Sequence, residues 1–389
     1  MLYKTFQDLK LSALGFGNMR LPTLENGAIN TFEADEMVAY AYENGVNYFD
    51  TAYGYHNGES ERFIGKSLAR FPRDTWYLAN KFPGYEGRTE WNPAEVFEEQ
   101  LHKCDVEYFD FYMLHNVNEN TIKTYLNSKW GIVDYLLEQK KAGRIRFFGF
   151  SCHAGTETFL KFMELHGNKM EFCQVELNAL DWFLQDAKTK YAFLKERDIP
   201  VWVMEPVRGG KLAAFSIENE KKLKAERPNE SVAAWAFRWL QSLPQLGVIL
   251  SGMTTMEQVR DNIHTFCKDK PLNADEKKLY EGIIASLADM LPCTACRYCC
   301  PRCPKELDIP NLLALYNDCR YEPSVVVRMV VDGMKPSKRP SACINCGKCK
   351  EICPQNIDIP GALKHLQSIL DTLPHIGTVN DDEESDEES

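Results

Sequence analysis

Residues 45–55 read Gly-Val-Asn-Tyr-Phe-Asp-Thr-Ala-Tyr-Gly-Tyr, and this stretch decides how the rest of the chain is interpreted. Its apolar part, Val46 to Phe49, predicts a buried strand that ends on the carboxylate of Asp50. The small residues that follow predict a turn that presents the phenol of Tyr55. A titratable group at the carboxyl end of a strand is typical of the face on which parallel barrels build their sites.

Two further apolar runs end in the same way. Residues 76–81, Trp-Tyr-Leu-Ala-Asn-Lys, end on the amine of Lys81, and residues 109–115, Phe-Asp-Phe-Tyr-Met-Leu-His, end on the imidazole of His115. A short strand pair is predicted within residues 3–22, and later strands at residues 145–151, 172–177, 200–205 and 247–251. Helical segments separate the strands, and the one at 93–104 has Asn92 as its N-cap. This alternation predicts an α/β fold, a closed (β/α)8 TIM barrel over residues 1–290.

The composition is that of a soluble globular protein, with 44% hydrophobic and 26% charged residues among 389. Much of the net charge of −11 lies at the end, because residues 381–389 hold seven carboxylates and no base. Residues 375–389 are therefore predicted to form a disordered acidic tail, with a docking segment for a basic partner as the alternative.

Several classes of function are not expected. No basic cluster indicates a nucleic acid partner, and no apolar run has the length of a membrane span. The first residues lack the apolar region of a signal peptide, so a cytoplasmic location is expected. In that compartment the fourteen cysteines are more plausible as thiols or metal ligands than as disulfides.

The composition changes after Pro292, because ten of the fourteen cysteines lie between Cys293 and Cys353. Two runs have the spacing C-x-x-C-x-x-C-x-x-x-C-P, which holds 4Fe-4S clusters in ferredoxins with two clusters. In those proteins the fourth cysteine of each run ligates the other cluster. The spacing therefore predicts two 4Fe-4S clusters, one held by Cys293, Cys296, Cys299 and Cys353, the other by Cys343, Cys346, Cys349 and Cys303.

Some readings of these runs stay open. C-x-x-C pairs also build zinc sites, so a pair of zinc ions is the competing interpretation. Cys300 lies beside Cys299 and could exchange with it as a ligand, whereas Cys319 is read as a buried thiol. The 39 residues between Cys303 and Cys343 are too many for a compact ferredoxin hairpin. Residues 291–374 are therefore predicted to form a mainly helical, ferredoxin-like domain with two clusters.

The groups at the three strand ends suit the reduction of a carbonyl. Hydride addition leaves an alkoxide that needs a proton, and Tyr55 is the expected donor if its pKa is lowered. A nearby Lys81 ammonium is expected to lower that pKa, and Asp50 to keep Lys81 charged and oriented. His115 is expected to position the carbonyl oxygen or to share in proton relay. Taken singly, the lysine reads as a solvated surface group and the histidine as a core imidazole, so the interpretation depends on the combination.

Together these features resemble the aldo/keto reductase family. The motif Phe-Asp-Thr-Ala-x-x-Tyr and the strands ending on Lys81 and His115 match the family's catalytic tetrad residue by residue. The resemblance covers residues 1–290, and the whole chain is similar to the branch with a fused ferredoxin-type domain. Residues 204–212, Met-Glu-Pro-Val-Arg-Gly-Gly-Lys-Leu, and the run Cys-Thr-Ala-Cys-Arg-Tyr-Cys are similar to signatures of that branch.

The resemblance implies that NADP or NAD lies across the barrel mouth. Its nicotinamide would contact Ser151 and Gln174, with His153 on a neighbouring loop. The other implied nucleotide contacts are Arg20, Met204, Pro206, Arg208, Lys211, Gly252, Thr254, Gln258 and Asn262. Many relatives have a lysine and an arginine for the 2′-phosphate where this chain has Gly252 and Gln258, so the choice between NAD and NADP stays open.

The two predicted modules differ in the electrons they handle. A nicotinamide exchanges two electrons as hydride, whereas a cluster passes one, so a flavin that bridges them is a further candidate cofactor. We expect an iron-sulfur oxidoreductase of aldo/keto reductase type that reduces a carbonyl, or a related unsaturated group, of a small molecule. Its clusters would relay electrons to or from a redox partner protein.

Two alternative functions are compatible with the same motifs. The first is a plain NAD(P)H-dependent carbonyl reductase whose clusters are structural or sense redox state. The second is an electron-transfer subunit of a larger complex, with an inactive barrel.

Overall fold

The first of the chain's two units, Met1–Ile284, is built on strands. The computed structural model describes residues 1–85, 88, 90–119, 121–287, 291, 293, 297, 299–321, 325–353 and 357–373. Ten strands lie within these described residues. The strands are β1 (Tyr3–Phe6), β2 (Leu9–Ser12), β3 (Leu14–Gly17), β4 (Tyr48–Asp50), β5 (Tyr77–Phe82), β6 (Phe109–Val117), β7 (Ile145–Cys152), β8 (Phe172–Glu176), β9 (Val201–Met204) and β10 (Leu246–Gly252). Strands β3 to β10 are parallel and close in chain order, with β10 pairing with both β9 and β3. The predicted eight-stranded barrel is confirmed.

Helices lie between the barrel strands and after the last of them. Among the described residues they are α1 (Thr31–Glu43), α2 (Glu59–Leu68), α3 (Pro93–Cys104), α4 (Ile122–Leu126), α5 (Ile132–Lys141), α6 (Thr156–His166), α7 (Asp181–Leu184), α8 (Ala187–Glu196), α9 (Ile217–Glu226), α10 (Val232–Gln241), α11 (Met256–Phe266) and α12 (Ala274–Leu287). Helix α3 begins where the sequence predicts, because the Asn92 side chain accepts a hydrogen bond from the Glu95 backbone and Pro93 occupies the first turn.

The antiparallel hairpin of β1 and β2 fills the amino end of the barrel. The ring of Phe6 lies 4.9 Å from that of Phe147 and 5.0 Å from that of Trp202, and it joins the buried side chains inside the strands. Burying a phenylalanine side chain contributes about 1.5–3 kcal/mol. The barrel interior is therefore a packed core at this end, and the opposite end is available for a site.

The register of the strands places the candidate catalytic groups next to one another. Asp50, the last residue of β4, pairs with Gly17 on one side and Ala79 on the other. Lys81 lies near the end of β5, opposite Met113 of β6. Because parallel strands end at the same edge of the barrel, these side chains reach one region.

The described part of the second unit, Ala285–Ser389, is helical. Its helices are α13 (Ile309–Tyr321), α14 (Val325–Asp332), α15 (Lys348–Glu351) and α16 (Ile359–Leu370). Helices α13 and α16 share an apolar core that includes Leu312, Leu313 and Leu366. The predicted ligand Cys296 and the predicted acidic tail, residues 375–389, lie outside the described residues. Among the described residues, the structure has no helix whose length and apolar character would suit a membrane crossing.

Candidate active site

A cleft of about 590 Å³ lies at the carboxyl ends of the barrel strands. Three of the four predicted catalytic residues, Asp50, Tyr55 and His115, line it. Its wall also includes eight of the predicted nucleotide contacts: Arg20, Gln174, Met204, Pro206, Gly252, Thr254, Gln258 and Asn262. The sequence-predicted residues therefore meet in one cleft, although they come from segments across the whole barrel.

Lys81 is fully buried and forms an ion pair with Asp50. Its Nζ donates to Asp50 Oδ1 at 2.5 Å and to the carbonyl oxygen of Thr51 at 2.7 Å. Burial lowers the pKa of Lys81 and raises the pKa of Asp50, and the attraction between the two charges opposes both shifts. A lone buried charge would cost several kcal/mol, so each group keeps the other in place.

A buried polar network on the far side of β5 holds the backbone of Lys81. The Gln100 side chain donates to Lys81 O at 3.1 Å, and the backbone N–H of Lys81 donates to Asn80 Oδ1 at 2.8 Å. Both amide side chains also donate to the buried carboxylate of Glu61, each at 2.8 Å. The position of the lysine is therefore fixed by hydrogen bonds as well as by its ion pair.

Tyr55 lies above this ion pair. Tyr55 is the first residue of a short 3₁₀ turn after β4. Lys81 Nζ is 5.1 Å from the centroid of the Tyr55 ring. Burial raises the pKa of the Tyr55 phenol well above its usual value, and the nearby charges of Asp50 and Glu205 add to the increase. The pKa of this phenol is therefore raised, contrary to the lowering that the sequence predicts, and burial is the largest cause. The phenol is protonated at neutral pH.

His115 stands beside Tyr55 with its ring almost perpendicular to it, at a centroid distance of 5.9 Å. Burial lowers the pKa of His115 well below its usual value, and the positive charge of Lys81 lowers it further. The imidazole is therefore neutral at physiological pH. Its buried Nδ1 has no hydrogen-bond partner within the described part of the chain.

Tyr85 completes this wall of the cleft. Its ring lies 4.9 Å from that of His115 at an angle of 88°. The hydroxyl of Tyr85 has room only because residue 54 is a glycine, since a Cβ on Gly54 would lie 2.4 Å from that oxygen. The loop after β4 and the loop after β5 therefore pack closely against each other beside the candidate catalytic groups.

One end of the cleft gathers four of the predicted nucleotide contacts. The Thr254 hydroxyl donates to the carbonyl oxygen of Arg20, and the Thr254 backbone N–H donates to the Gln258 side chain at 2.7 Å. A Cβ on Gly252 would lie 3.2 Å from the Arg20 side chain. These residues surround the first turn of α11, which carries a capping box. The amino terminus of a helix and an arginine both favour an anion.

The middle of the cleft contains a buried acceptor without a partner. Gln174 is 2% exposed, its Nε2 contacts Met204 Sδ at 3.8 Å, and its Oε1 has no hydrogen-bond partner among the described residues. Ser151 lies on the adjacent strand and does not line the cleft. Its hydroxyl oxygen accepts a hydrogen bond from the backbone N–H of Asn116 at 2.8 Å. Gln174 is thus an acceptor that a bound molecule could satisfy.

Besides Ser151, two other predicted nucleotide contacts do not line the cleft. Arg208 Nε instead donates to the buried Asp181 Oδ2 at 3.0 Å, and Lys211 is exposed. Burial and the neighbouring Glu176 raise the pKa of Asp181 to about 7. Burial also acts to raise the pKa of Glu176, but hydrogen bonding and charge from His153, at 3.4 Å, bring it to about 2. Arg208 is therefore engaged in a buried carboxyl cluster.

Among the cleft-lining residues that the sequence does not predict are two polar ones, Asn116 and Glu205. Each directly follows a predicted site residue, His115 or Met204, and each has a positive φ, 57° and 54° respectively. Asn116 follows His115 within β6, and Glu205 follows the end of β9, so the strand-end pattern that predicted their neighbours could have identified them. The left-handed backbone turns both residues into the mouth of the barrel.

The cysteine runs belong to the second unit. Cys303 of the first run and Cys343, Cys346 and Cys349 of the second run line one cavity. This is the set that the spacing assigns to one cluster. Among the described residues no three His, Cys, Asp or Glu side chains are arranged to hold a single metal ion. The four thiols line one cavity, as the ligands of a single cluster would.

Of the other predicted ligand set, three cysteines are described. Cys293, Cys299 and Cys353 contact the apolar core of this unit. Burial and the neighbouring sulfurs of Cys300 and Cys293 raise the pKa of Cys299 to about 12. Cys319, read from the sequence as a thiol outside the cluster sites, is 1% exposed.

Comparison with known proteins follows the same division of the chain. The family model described as "Aldo/keto reductase family" matches residues 13–285, most of the chain. The chain belongs to the aldo/keto reductase family. A second model, described as "4Fe-4S dicluster domain", matches residues 292–357. The chain is therefore an aldo/keto reductase, an oxidoreductase, with a fused 4Fe-4S domain, as the motifs predict.

Several aldo/keto reductase relatives cover the barrel. The chain is 23% identical over 301 residues to an NADH-specific methylglyoxal reductase of Escherichia coli, which covers 66% of this chain and 90% of that protein. The structure is similar to an aldo-keto reductase from Bacillus halodurans, with a TM-score of 0.57, 23% identity, and coverage of 71% of this chain and 93% of the other. It is also similar to one from Klebsiella pneumoniae in complex with NADP and acetate, with a TM-score of 0.58, 18% identity, and coverage of 71% and 92%.

Proposed function

We propose that this aldo/keto reductase reduces the carbonyl of a small molecule at the barrel mouth, with Tyr55 as proton donor and NADP or NAD as the hydride carrier. The observation that carries the proposal is the arrangement of three groups in the cleft. A buried Lys81–Asp50 ion pair lies 5.1 Å beneath the ring of Tyr55, and the neutral His115 stands beside it.

The proton chemistry follows from the charges of these groups. A phenol with a raised pKa is protonated when a carbonyl arrives, so it has a proton to give. Transfer of that proton leaves a phenolate, and the Lys81 ammonium stabilises this anion at the moment it forms. The neutral imidazole of His115 can share a hydrogen bond with the carbonyl oxygen without competing as an acid.

The cleft fits a nicotinamide nucleotide. Gln174 Oε1 is a buried acceptor of the kind that a carboxamide N–H satisfies, and Arg20 with the first turn of α11 suits phosphate groups. The Klebsiella relative binds NADP, which supports the same class of cofactor here. A bound reduced nicotinamide supplies the hydride. The protein groups orient the carbonyl and deliver the proton.

We further propose that the second unit binds two 4Fe-4S clusters, which relay electrons to or from a redox partner protein. The match to a dicluster model and the four cysteines around one cavity support this role. Because a cluster passes one electron and a hydride carries two, a flavin at the barrel mouth remains a second cofactor hypothesis. Analysis of iron, sulfide, flavin and nucleotide in anaerobically purified protein tests each cofactor directly.

Replacement of Tyr55 by phenylalanine tests the carbonyl chemistry. We expect Tyr55→Phe to lower kcat for carbonyl reduction by about 10²–10⁴-fold, the range for loss of a general acid, with iron content and fold unchanged. Tyr53→Phe, on the same loop but outside the cleft lining, is the matched control. Unchanged turnover in Tyr55→Phe would mean that the phenol is not the acid and would favour an electron-transfer role for the whole chain.

A cluster-deficient protein tests the relay. Cys343→Ala should prevent the chain from exchanging electrons with a reduced carrier protein while leaving NAD(P)H-dependent carbonyl reduction in place. If wild-type protein with full iron content also exchanges no electrons with any carrier, the clusters are structural and the chain is a plain reductase.

A further inference from the structure

The cavity lined by four cysteines in the second unit is close to the protein surface. Cys346 is exposed, and Ile344, between Cys343 and Cys346 in the sequence, is 56% exposed. Ile344 is the most exposed of three large apolar side chains at the surface of the described part of this unit, the others being Val330 and Ile352, whereas most of the unit's apolar residues form a buried core. A cluster in this cavity would therefore have one side next to solvent, where a protein partner can approach it.

The segments that carry these four cysteines are rich in positive charge. Residues 299–306 and 335–353 together hold seven lysines and arginines against two glutamates, although the chain has a net charge of −11. Five lysines in these segments form what we call the basic rim: Lys305, Lys335, Lys338, Lys348 and Lys350. Lys305 itself lines the cavity, and Lys348 and Lys350 flank Cys349 in the sequence.

Hydrogen bonds bring the two parts of the basic rim together. Lys338 Nζ donates to the carbonyl oxygens of Lys305 and Glu306 at 3.2 and 3.0 Å, so lysines from separate segments become neighbours. Two rim lysines have carboxylate partners: Lys338 with Glu306 at 3.1 Å and Lys350 with Asp358 at 3.2 Å.

The remaining rim lysines keep their charge available. Lys305, Lys335 and Lys348 are exposed and form no ion pair with any described residue. Like charges held together without local neutralisation destabilise a surface slightly, unless a partner of opposite charge binds there. The rim is therefore complementary to a negatively charged surface.

We propose that the basic rim and Ile344 dock an acidic electron-carrier protein, which exchanges single electrons with a cluster held by Cys303, Cys343, Cys346 and Cys349. This inference rests on the proposed relay function and adds the docking face and the charge of the partner. In the transfer one electron leaves the reduced carrier and reduces the cluster, or returns in the opposite direction, and no bond forms or breaks.

The size and chemistry of the surface suit a transient complex. Electron-transfer encounters use small interfaces, and complementary charge raises their association rates more than their affinity. One exposed isoleucine in a segment rich in lysines matches that type of contact, because it supplies an apolar contact with charged residues nearby. The chain's own acidic residues 381–389 are the other candidate occupant, and the experiment separates the two.

The experiment follows reduction of the holoprotein by a strongly acidic, pre-reduced 2Fe-2S ferredoxin in stopped flow. We expect Lys305→Glu/Lys348→Glu to slow cluster reduction by about tenfold or more at low salt and to remove most of its dependence on ionic strength. Lys221→Glu/Lys224→Glu, two exposed lysines on α9 with the same change in net charge, should leave the rate near that of wild type. Dithionite reduces the clusters directly and should do so equally in all variants.

Each outcome decides one question. Equal ferredoxin rates and equal salt dependence in wild type and the rim variant would overturn the docking proposal, as would equally fast reduction of wild type by a carrier of the same potential with a basic surface. If the slower reduction of the rim variant disappears when residues 381–389 are deleted, the basic rim binds the chain's own tail. That result would also overturn the docking proposal. Reduced clusters of the wild type that pass no electron to an oxidised carrier of higher potential would instead refute the relay function itself.

Discussion

At the scale of single residues, the Asp50–Lys81 pair determines how the cleft can work. Its two groups are buried, and neither has another charged group within ion-pair distance in the described part of the chain. The sequence predicts that this pair exists, because both residues end neighbouring parallel strands. It does not predict the raised pKa of Tyr55, because that shift comes from burial of the phenol in the folded cleft and from nearby charges, including that of Glu205 on another loop.

Lys81→Met removes the charge beneath Tyr55 while keeping a long side chain. We expect kcat for carbonyl reduction to fall by about 10²-fold or more, and the free energy of unfolding to fall by about 3–5 kcal/mol, because Asp50 is left as an unpaired buried charge. The double variant Asp50→Leu/Lys81→Met should recover much of the stability but none of the activity. Recovery of activity in the double variant would show that the ion pair has only a structural role.

The pKa of Asp181 predicts a pH dependence of stability. Its folded pKa of about 7 lies above the ordinary value of 3.8, so the folded protein binds more protons than the unfolded chain between these pH values. Stability contributed by this group is therefore present below pH 3.8 and is lost as pH rises to 7. Asp181→Asn should flatten that decline in urea unfolding measured at pH 4, 5.5 and 7. An equal dependence of the unfolding free energy on pH in wild type and Asp181→Asn would contradict the raised pKa of Asp181.

At the scale of elements, the barrel follows from the sequence because its strands are short apolar runs with titratable ends. Helix α9 (Ile217–Glu226) was not predicted, because its run of lysines and glutamates buries only Leu223 and shows no apolar stripe. Helix α16 in the second unit was missed as well, although it buries Leu363, Leu366 and Leu370.

The site was predictable to a similar degree. Asp50, Tyr55 and His115 could be placed because each stands at or just after a strand end, and such ends converge in a parallel barrel. Arg208 was assigned to the nucleotide from its motif, yet its side chain turns to Asp181, 27 residues earlier in the chain. No pattern in one segment reports a contact of that kind, because it depends on how two loops pack.

Packing between α2 and α3 gives a prediction at this scale. A Cβ added to Gly65 would lie 2.1 Å from the carbonyl oxygen of Cys104, which is backbone and cannot rotate away. We expect Gly65→Ala to lower the free energy of unfolding by about 1–3 kcal/mol or more through overpacking. Gly282→Ala in α12 is the matched control, because a Cβ there meets nothing within 4 Å. That change should stabilise the helix by about 0.5–1 kcal/mol. Equal changes in Tm for Gly65→Ala and Gly282→Ala would contradict the close approach of Gly65 to the Cys104 backbone.

At the scale of the whole molecule, the two units have separate cores and should respond separately to iron. The second unit's core includes Cys299 and Cys349, so a cluster bound there is part of the packing. We expect anaerobic iron chelation to melt this unit at a lower temperature while the barrel transition in calorimetry changes little. Cys303→Ser should have the same effect in weaker form, and Cys267→Ser, an exposed thiol of the barrel, should have none. A barrel transition that falls together with iron content would show that the units fold as one.

The glycine at position 54 has a consequence for how this enzyme could diverge. Gly54 leaves space for the hydroxyl of Tyr85, which stands against His115 at the mouth. One nucleotide change converts a glycine codon to alanine, and the added methyl would force the tyrosine into the opening. Selection could thus reshape the choice of substrate through a position that contributes no side chain of its own, while the catalytic groups stay as they are.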